Sequence, residues 1–452
     1  MGESINATKT RVATVGLGQE RNTGESRNAA KTRVAIIGLG YVGFPLACLC
    51  AEKTFPTYGI DVDSRKVEMI NNRVCPFPDG DLHDTFSQGY FPASSDFSIV
   101  GNSDVTVVCV PTPVDDQHNP DFTPLEKACR SIQPYLHKDQ LVIIESTVNP
   151  GACEEVVQPI LEMSGLKAGI DFDLAHCPER IDPGNRTWPV RDIPRVVGAT
   201  TPAGLQKAVA FYTGVLDSSV TPMNSIKEAE ATKIMENAFR DINIAFVNEL
   251  AKSFNKMGID ITEVIKGAST KPFSFLPHFP GCGVGGHCIP VDPYYLIRQA
   301  KKIGFDHHFL QLARDINEGM PAYTVGLLNE ELGKFDKSIR NSSIGVMGLA
   351  FKPNVADTRE SPAFKIIQLL KDGEASFNTY DPFVRERSTV GSLKELFNKS
   401  EALVLVTSHK EFTDSYLDGL KDSHVKVVID GRNCLNKQEI QHLGIAYRGI
   451  GR

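Results

Sequence analysis

From residue 280 to 293 the chain reads PGCGVGGHCIPVDP, a glycine-rich loop that presents Cys288. Glycines such as Gly285 let main-chain N–H groups crowd round an anion or a developing oxyanion, so Cys288 reads as a nucleophile in a backbone nest. Asp292, four residues on, is near enough to act as a base or to orient water. The bland alternative is a small thiol packed among apolar neighbours. Upstream, the stretch from about 225 to 255 has neither proline nor glycine and reads as one long helix. Lys233 and Asn237 lie four apart on it, so both project from one face and can meet a common ligand; solvated surface is the alternative.

The flanking segments tell what these groups would work on. Val34-Ala35-Ile36-Ile37 is a buried-strand pattern followed by Gly38-Leu39-Gly40-Tyr41-Val42-Gly43 and a helical Pro45-Leu46-Ala47. That is a complete G-x-G-x-x-G strand-turn-helix for a dinucleotide pyrophosphate. Asp61, closing the next strand, stands about 20 residues on, where a carboxylate accepts hydrogen bonds from ribose hydroxyls and repels a 2′-phosphate. This favours NAD over NADP, although Arg65 close by leaves room for dual use. Two more strands, 104–110 and 141–147, end in Pro111-Thr112-Pro113 and Glu145-Ser146-Thr147. Ligands of such sheets bind outside the carboxyl ends of the strands, which makes Thr112, Glu145 and Thr147 cofactor or substrate contacts, with turn chemistry as the alternative.

Residues 2–18 recur with few changes at 24–40, but the first copy lacks the third glycine and the helix. Residues 1–30 therefore read as a duplicated extension without its own cofactor, and deleting 1–29 is expected to leave NAD affinity nearly unchanged. The C-terminal third opens a second α/β unit with strands at 343–351, 377–381, 402–407 and 425–430 and a helix at 361–370. Its first βα loop carries Lys352, Asp357, Thr358, Arg359 and Glu360 in place of a dinucleotide fingerprint, so cationic side chains there could grip phosphate or a sugar.

At 452 residues with 41% hydrophobic and 23% charged content the chain can bury several cores. A formal charge of −7 argues against a nucleic-acid partner, and no apolar run approaches the span of a bilayer. Ten cysteines without paired short spacings beyond Cys48 and Cys50 fit neither a disulfide framework nor a zinc ribbon; no metal is expected, and a reducing cytoplasm fits best.

GLGYVG, the PTP and STVNPG turns, EATKIMENAF, GGHCIPVDP and DTRESPA occur in one order over about residues 31 to 440, and with them the chain resembles the nucleotide-sugar (UDP-glucose/GDP-mannose) 6-dehydrogenase family. HCPERIDPGN at 176–185 and the histidine and second proline of GGHCIPVDP are more similar to the branch oxidising UDP-N-acetylhexosamines than to the UDP-glucose branch, whose loop more often reads GGSCFPKD. Cys177 and Cys282 depart from both patterns.

The resemblance implies an α/β chain of two Rossmann-like, doubly wound parallel-sheet domains joined by a long central helix. The expected divisions are an NAD-binding domain at 31–220, a central helical dimerisation region with the Cys loop at 221–325, and a UDP-sugar-binding domain at 326–452. It implies a four-electron oxidation of the sugar C6 alcohol to a carboxylate, in polysaccharide biosynthesis, through a Cys288 thiohemiacetal and thioester. UDP-N-acetylglucosamine is the first choice of substrate, with UDP-N-acetylmannosamine and UDP-glucose as alternatives. Lys233 and neighbouring glycine N–H groups are expected to lower the thiol pKa, and Lys233 and Asn237 to stabilise oxyanions. Asp292 and Glu179 would manage protons and water beside Thr147, while Arg180, Lys233, Gly285, Lys352 and Arg359 would hold the substrate. The long helix is expected to pair with its copy in a homodimer or higher oligomer through Ile234, Ala238, Ile242 and Ala245. A two-electron hydroxyacid dehydrogenase would need neither Cys288 nor the second α/β unit, and a non-catalytic NAD-binding regulator would need none of Cys288, Lys233 and Asp292.

Overall fold

The computed structural model describes residues 32–77, 80–115, 117–181 and 187–452; the duplicated segment at 1–30 and residues 182–186 lie outside the described residues. Runs such as VAII, VTVV and LVII, aliphatic and mostly β-branched, become strands buried along their whole length, as a sheet covered on both faces requires. The first sheet comprises β1 (Val34–Ile37), β2 (Thr57–Ile60), β3 (Ala93–Ser94), β4 (Val105–Val108), β5 (Leu141–Ile144), β6 (Asp173–His176), β7 (Arg195–Ala199) and β8 (Val220–Pro222). Its order is β3-β2-β1-β4-β5-β6-β7-β8, so the order reverses between β1 and β4. Alternate strand residues feed two cores: Val34 and Ile36 point into one layer of helices, Ala35 and Ile37 into the other.

One pairing departs from the expected all-parallel sheet. β7 runs antiparallel to β6, with His176 opposite Gly198 and Ala175 opposite Ala199. A parallel return needs a long crossover, usually a helix, and between β6 and β7 the described residues hold only the short turn Val190–Asp192.

The second sheet is wholly parallel: β9 (Ser343–Met347), β10 (Ser376–Tyr380), β11 (Ala402–Leu405), β12 (Val427–Asp430) and β13 (Ala446–Gly449), in the order β10-β9-β11-β12-β13. The first of these strands stops at Met347, short of the sequence reading, because Gly348 takes a φ of +95°. β13, with the polar-spaced sequence AYRG, is a strand the sequence reading left out.

Between the sheets runs the helix Ile226–Lys256, about 46 Å long at 1.5 Å per residue. Ser225 caps it, accepting from the Glu228 N–H at 3.2 Å, and Glu228 Oε2 accepts in return from the Asn224 N–H at 2.9 Å. The helices Asp292–Lys302 and His308–Glu318 pack along it. That packing corrects the expected dimer face: Ile234, Ala238 and Ala245 are buried inside the chain. The apolar side chains left exposed on the helix are Met235, Phe239 and Phe246, on another of its faces.

Candidate active site

The dinucleotide turn is built on steric need. Gly38 has a φ of +88°, and a Cβ there would stand 2.8 Å from the Cys109 carbonyl oxygen; one on Gly43 would stand 2.1 Å from the Gly38 carbonyl oxygen. A Cβ on Gly40 would meet nothing within 4 Å, so the fold itself does not require this glycine. Open space there, over the uncapped N-terminus of helix Gly43–Glu52, is what a close-approaching pyrophosphate needs, and the residues present fit a dinucleotide.

Asp61 accepts from the Leu39 N–H at 2.8 Å and from the Asp63 N–H at 2.9 Å. The cation on Asp61 is Lys66, at 2.8 Å, and not Arg65. Asp63 caps the helix Ser64–Asn71, which turns Lys66 inward and leaves Arg65 almost fully exposed. Tyr41 is part-exposed with its ring against Phe77, and Val42 packs at the edge of the core.

The turns after β4 and β5 are tied together, Thr112 Oγ1 donating to the Thr147 carbonyl at 2.6 Å, and both threonines keep part of their surface open. Glu145 does not: it is fully buried, its carboxylate accepting from Tyr212 Oη at 2.6 Å with Arg195 Nη1 at 4.0 Å. The expected cofactor contact is thus a member of an internal network, a placement that strand-end position alone does not reveal.

The nucleophile loop leads directly into the helix Asp292–Lys302, and the N–H groups of Val291 and Asp292 donate to the Cys288 carbonyl at 3.1 and 2.8 Å. Asn237 Nδ2 donates to Asp292 Oδ2 at 2.5 Å, and Lys233 Nζ lies 3.9 Å from Glu179 Oε2. Lys233, Asn237, Asp292 and Glu179 are all buried, while Cys288 stays partly accessible. Burial pushes the Asp292 carboxyl up to about 7, against the pull of Lys233 and Asn237. Burial opposes the charge on Lys233 too, but Glu179, Cys288 and Asp292 outweigh it and hold the ammonium above its ordinary range.

Lys233 does pull the Cys288 thiol down, as expected, but other influences oppose it. Burial, with Asp292 beside it, pushes the Cys288 thiol up to about 12, and the opposite pull of Lys233 and Arg359 does not overcome this. A thiol pushed up in this way needs a proton acceptor before it can serve as a nucleophile.

The second α/β domain closes the site. Gly286 N–H donates to the Arg359 carbonyl and Cys282 N–H to the Gly431 carbonyl, both at 3.0 Å. A Cβ on Gly285 would stand 2.6 Å from Phe351 Cβ, so this glycine permits the loops to touch. Arg359 forks onto Asp357, with Nε at 3.0 Å from Oδ1, and half its side chain remains exposed; Lys352 is partly buried in the same loop. Arg180 follows Glu179 directly and turns onto the long helix. Its guanidinium pairs with Glu236 on the long helix and donates to the Pro194 carbonyl at 2.8 Å.

Sequence reasoning missed the residues that hold these pieces in place. Glu230 accepts from the Gly151 and Cys153 N–H groups at 2.5 and 2.8 Å, fixing the turn that follows Thr147. Asn248 accepts from Gly281 N–H at 2.9 Å, anchoring the start of the Cys loop, and Tyr295 Oη donates to the Thr112 carbonyl. The signal for Glu230 was available: 230, 233, 237 and 241 recur at helical spacing with polar side chains in an otherwise apolar stripe.

Three profiles of one family match the chain in sequence: the NAD-binding domain of the UDP-glucose/GDP-mannose dehydrogenase family over residues 32–216, its central domain over 227–319 and its UDP-binding domain over 345–437. The UDP-N-acetyl-D-mannosamine dehydrogenase of Pyrococcus horikoshii is 36% identical over 417 residues, covering 91% of this chain and 97% of that protein. The UDP-N-acetyl-D-glucosamine 6-dehydrogenase of Pseudomonas aeruginosa is 35% identical, covering 84% and 91%. A solved structure of the Pyrococcus horikoshii UDP-D-ManNAc dehydrogenase superposes with a TM-score of 0.86 at 35% identity, over 93% of this chain and 99% of that one. This protein belongs to the UDP-glucose/GDP-mannose dehydrogenase family. It is an NAD-dependent nucleotide-sugar dehydrogenase, with the NAD-binding and UDP-binding domains as separate sheets.

Proposed function

We propose that the enzyme oxidises C6 of a UDP-N-acetylhexosamine from alcohol to carboxylate, with Cys288 carrying the sugar covalently. The observation that supports this best is the convergence of Cys288, Asp292, Asn237, Lys233 and Glu179 between the dinucleotide turn and the UDP-binding domain. The names of the relatives, both acting on N-acetylhexosamines, favour that substrate class. Gly38, Gly40, Gly43 and Asp61 would hold NAD, which when bound would supply a hydride acceptor for each of the two oxidations.

The residues divide the work by their chemistry. As the C6 hydroxyl gives up its proton, through water, to Glu179, Lys233 donates hydrogen bonds to the oxygen on which charge develops, aided by Asn237. Cys288 sulfur bonds to C6 of the aldehyde, its proton passing to Asp292, whose burial makes it a competent acceptor near neutrality. After the second oxidation the product is a thioester; water adds to its carbonyl carbon, the C–S bond breaks, and the thiol returns with the carboxylate as product. Glu179, paired to Lys233, orients that water, and Arg359 and Lys352 hold the diphosphate side of the substrate.

The test counts NADH released per sugar with UDP-glucose, UDP-GlcNAc, UDP-ManNAc and GDP-mannose. Two NADH with an N-acetylated sugar, at a kcat/KM above that for UDP-glucose, is the expected result; one NADH per sugar, or preference for UDP-glucose, overturns it. Cys288→Ser is expected to cut turnover by at least about 100-fold while sugar binding survives.

Met235, Phe239 and Phe246, with Phe273, Leu276 and Phe279 from the segment before the Cys loop, are exposed apolar side chains that a second copy of the chain would cover. The reading is a homodimer, tested by sedimentation at micromolar concentration. All ten cysteines are free thiols, which suits a reducing cytoplasm.

A further inference from the structure

β7 is the strand that reverses direction, and its first residue is Arg195. With His176 opposite Gly198, Arg195 lies three residues before that pair, beyond the carboxyl end of β6, where its Nη1 reaches the Pro178 carbonyl. A parallel β7 would have begun at the far end of the sheet. The reversal therefore delivers a guanidinium to the end of the sheet where the chemistry sits.

Arg195 is fully buried, a costly placement for a permanent cation unless it is paired. Its Nη1 donates to the Pro178 carbonyl at 3.3 Å and lies 4.0 Å from Glu145 Oε2. Glu145 is fixed from its other oxygen by Tyr212 Oη at 2.6 Å, and the Glu145 carbonyl accepts from the Glu179 N–H at 3.4 Å. The Pro178–Glu179 peptide is thus gripped on both sides, its carbonyl by Arg195 and its N–H by Glu145. Glu179 then meets Lys233 on the long helix.

We infer that Arg195 is a positioning residue for the reaction: with Glu145 and Tyr212 it fixes the Pro178–Glu179 turn, and so the direction in which the Glu179 carboxylate faces Lys233 and the reacting carbon. The inference rests on the proposed role of Glu179.

The experiment is a double-mutant cycle on the full-length enzyme with UDP-sugar and NAD, reading kcat, both KM values and thermal unfolding. Glu179→Gln alone is expected to lower kcat about 100-fold. If it leaves kcat unchanged, the reading of Glu179 fails, and this inference with it. Arg195→Met is expected to lower kcat by about 10-fold or more, with KM for NAD within about threefold, and Arg195→Lys to recover part of kcat. In the Glu179→Gln background, Arg195→Met should cost less than about twofold further, since a positioning residue has nothing left to position. Losses that multiply across the cycle, or a kcat that merely follows the unfolding temperature, overturn the inference and leave Arg195 a structural cation. Should Arg195→Met not fold, Tyr212→Phe removes one hydroxyl from Glu145 and is put through the same cycle, with the same non-additivity expected and the same additivity fatal.

Discussion

The two sheets open with nearly the same turn and put it to opposite uses. Strand β1 leads from Ile37 into Gly38-Leu39-Gly40 and β9 from Met347 into Gly348-Leu349-Ala350, and both first glycines are left-handed, at φ +88° and +95°. In each case the strand next to it on the outer side, β2 or β10, delivers an aspartate back onto the turn: Asp61 onto the Leu39 N–H at 2.8 Å, Asp381 onto the Leu349 N–H at 2.6 Å. There the likeness stops. Asp61 keeps a little surface and takes a side-chain cation, Lys66. Asp381 has none; it also accepts from the N–H groups of Ala350, Phe383 and Val384, and from His409 Nε2 at 3.0 Å. One aspartate retains accepting capacity for a ribose, while the other is consumed in bracing its own loop. Ala350 replaces the glycine that must leave room for a pyrophosphate. The same backbone trick thus makes a cofactor cradle in one domain and, in the other, a rigid platform that presents Arg359 to the Cys loop.

The largest effect that would sharpen this contrast is expected from Asp381→Ala. Removing one side of a buried, fully bonded ionic group costs roughly 3–5 kcal/mol, so urea unfolding should show the loss of the C-terminal domain while NAD binding to the first sheet persists. A loss under about 1 kcal/mol would mean the platform does not depend on its aspartate. Next comes a pair in the cradle. Gly43→Ala drives a methyl into the Gly38 carbonyl and should lower both stability and NAD affinity, whereas Gly40→Ala meets nothing internal and should leave the unfolding temperature unchanged yet weaken NAD by about tenfold or more. Titrating NADH fluorescence separates the two; a Gly40→Ala enzyme that binds NAD normally breaks the assignment of the cradle. Asp61→Asn should weaken NAD by about tenfold, with melting little changed.

The smallest effect is one of pH. Burial pushes the Asp381 carboxyl up, but His409 and the Ala350 and Leu349 N–H groups outweigh it and hold it below the ordinary carboxylate range. A depressed carboxylate contributes stability that is complete above its unfolded pKa, about 4, and is lost as pH falls through the folded value. Melting between pH 6 and pH 3 should therefore fall more steeply for wild type than for Asp381→Asn.

The cradle was legible because its constraint is covalent: only glycine serves at fixed positions, and the acid follows at a fixed distance. Cys288, Asp292, Lys233 and Asn237 were legible for a related reason, since one loop and one helix turn set their spacing. What stayed hidden depends on neighbours remote in sequence. Which of Arg65 and Lys66 faces Asp61 is decided by where Asp63 starts a helix. Whether Glu145 reaches a ligand or an internal tyrosine is decided by Tyr212, 67 residues on. The apolar face of the long helix could be listed from sequence, but not the fact that two later helices cover it. The upward push on the Cys288 thiol comes first from burial, which no local sequence pattern records.

The row Glu230, Lys233, Asn237 and Asp241 also bears on what changes the chain can absorb. Each rung holds a different segment: the turn after Thr147, Glu179, Asp292, and Arg314 at 2.6 Å. One added residue within the row would rotate everything beyond it by about 100°, undoing several attachments in a single event. An added residue in the turn before Ser225 would leave every rung in phase. A single added residue should thus be tolerated just before the helix cap and forbidden for the next four turns, and a scan of single-residue insertions across the cap would map that boundary as a sharp step in activity.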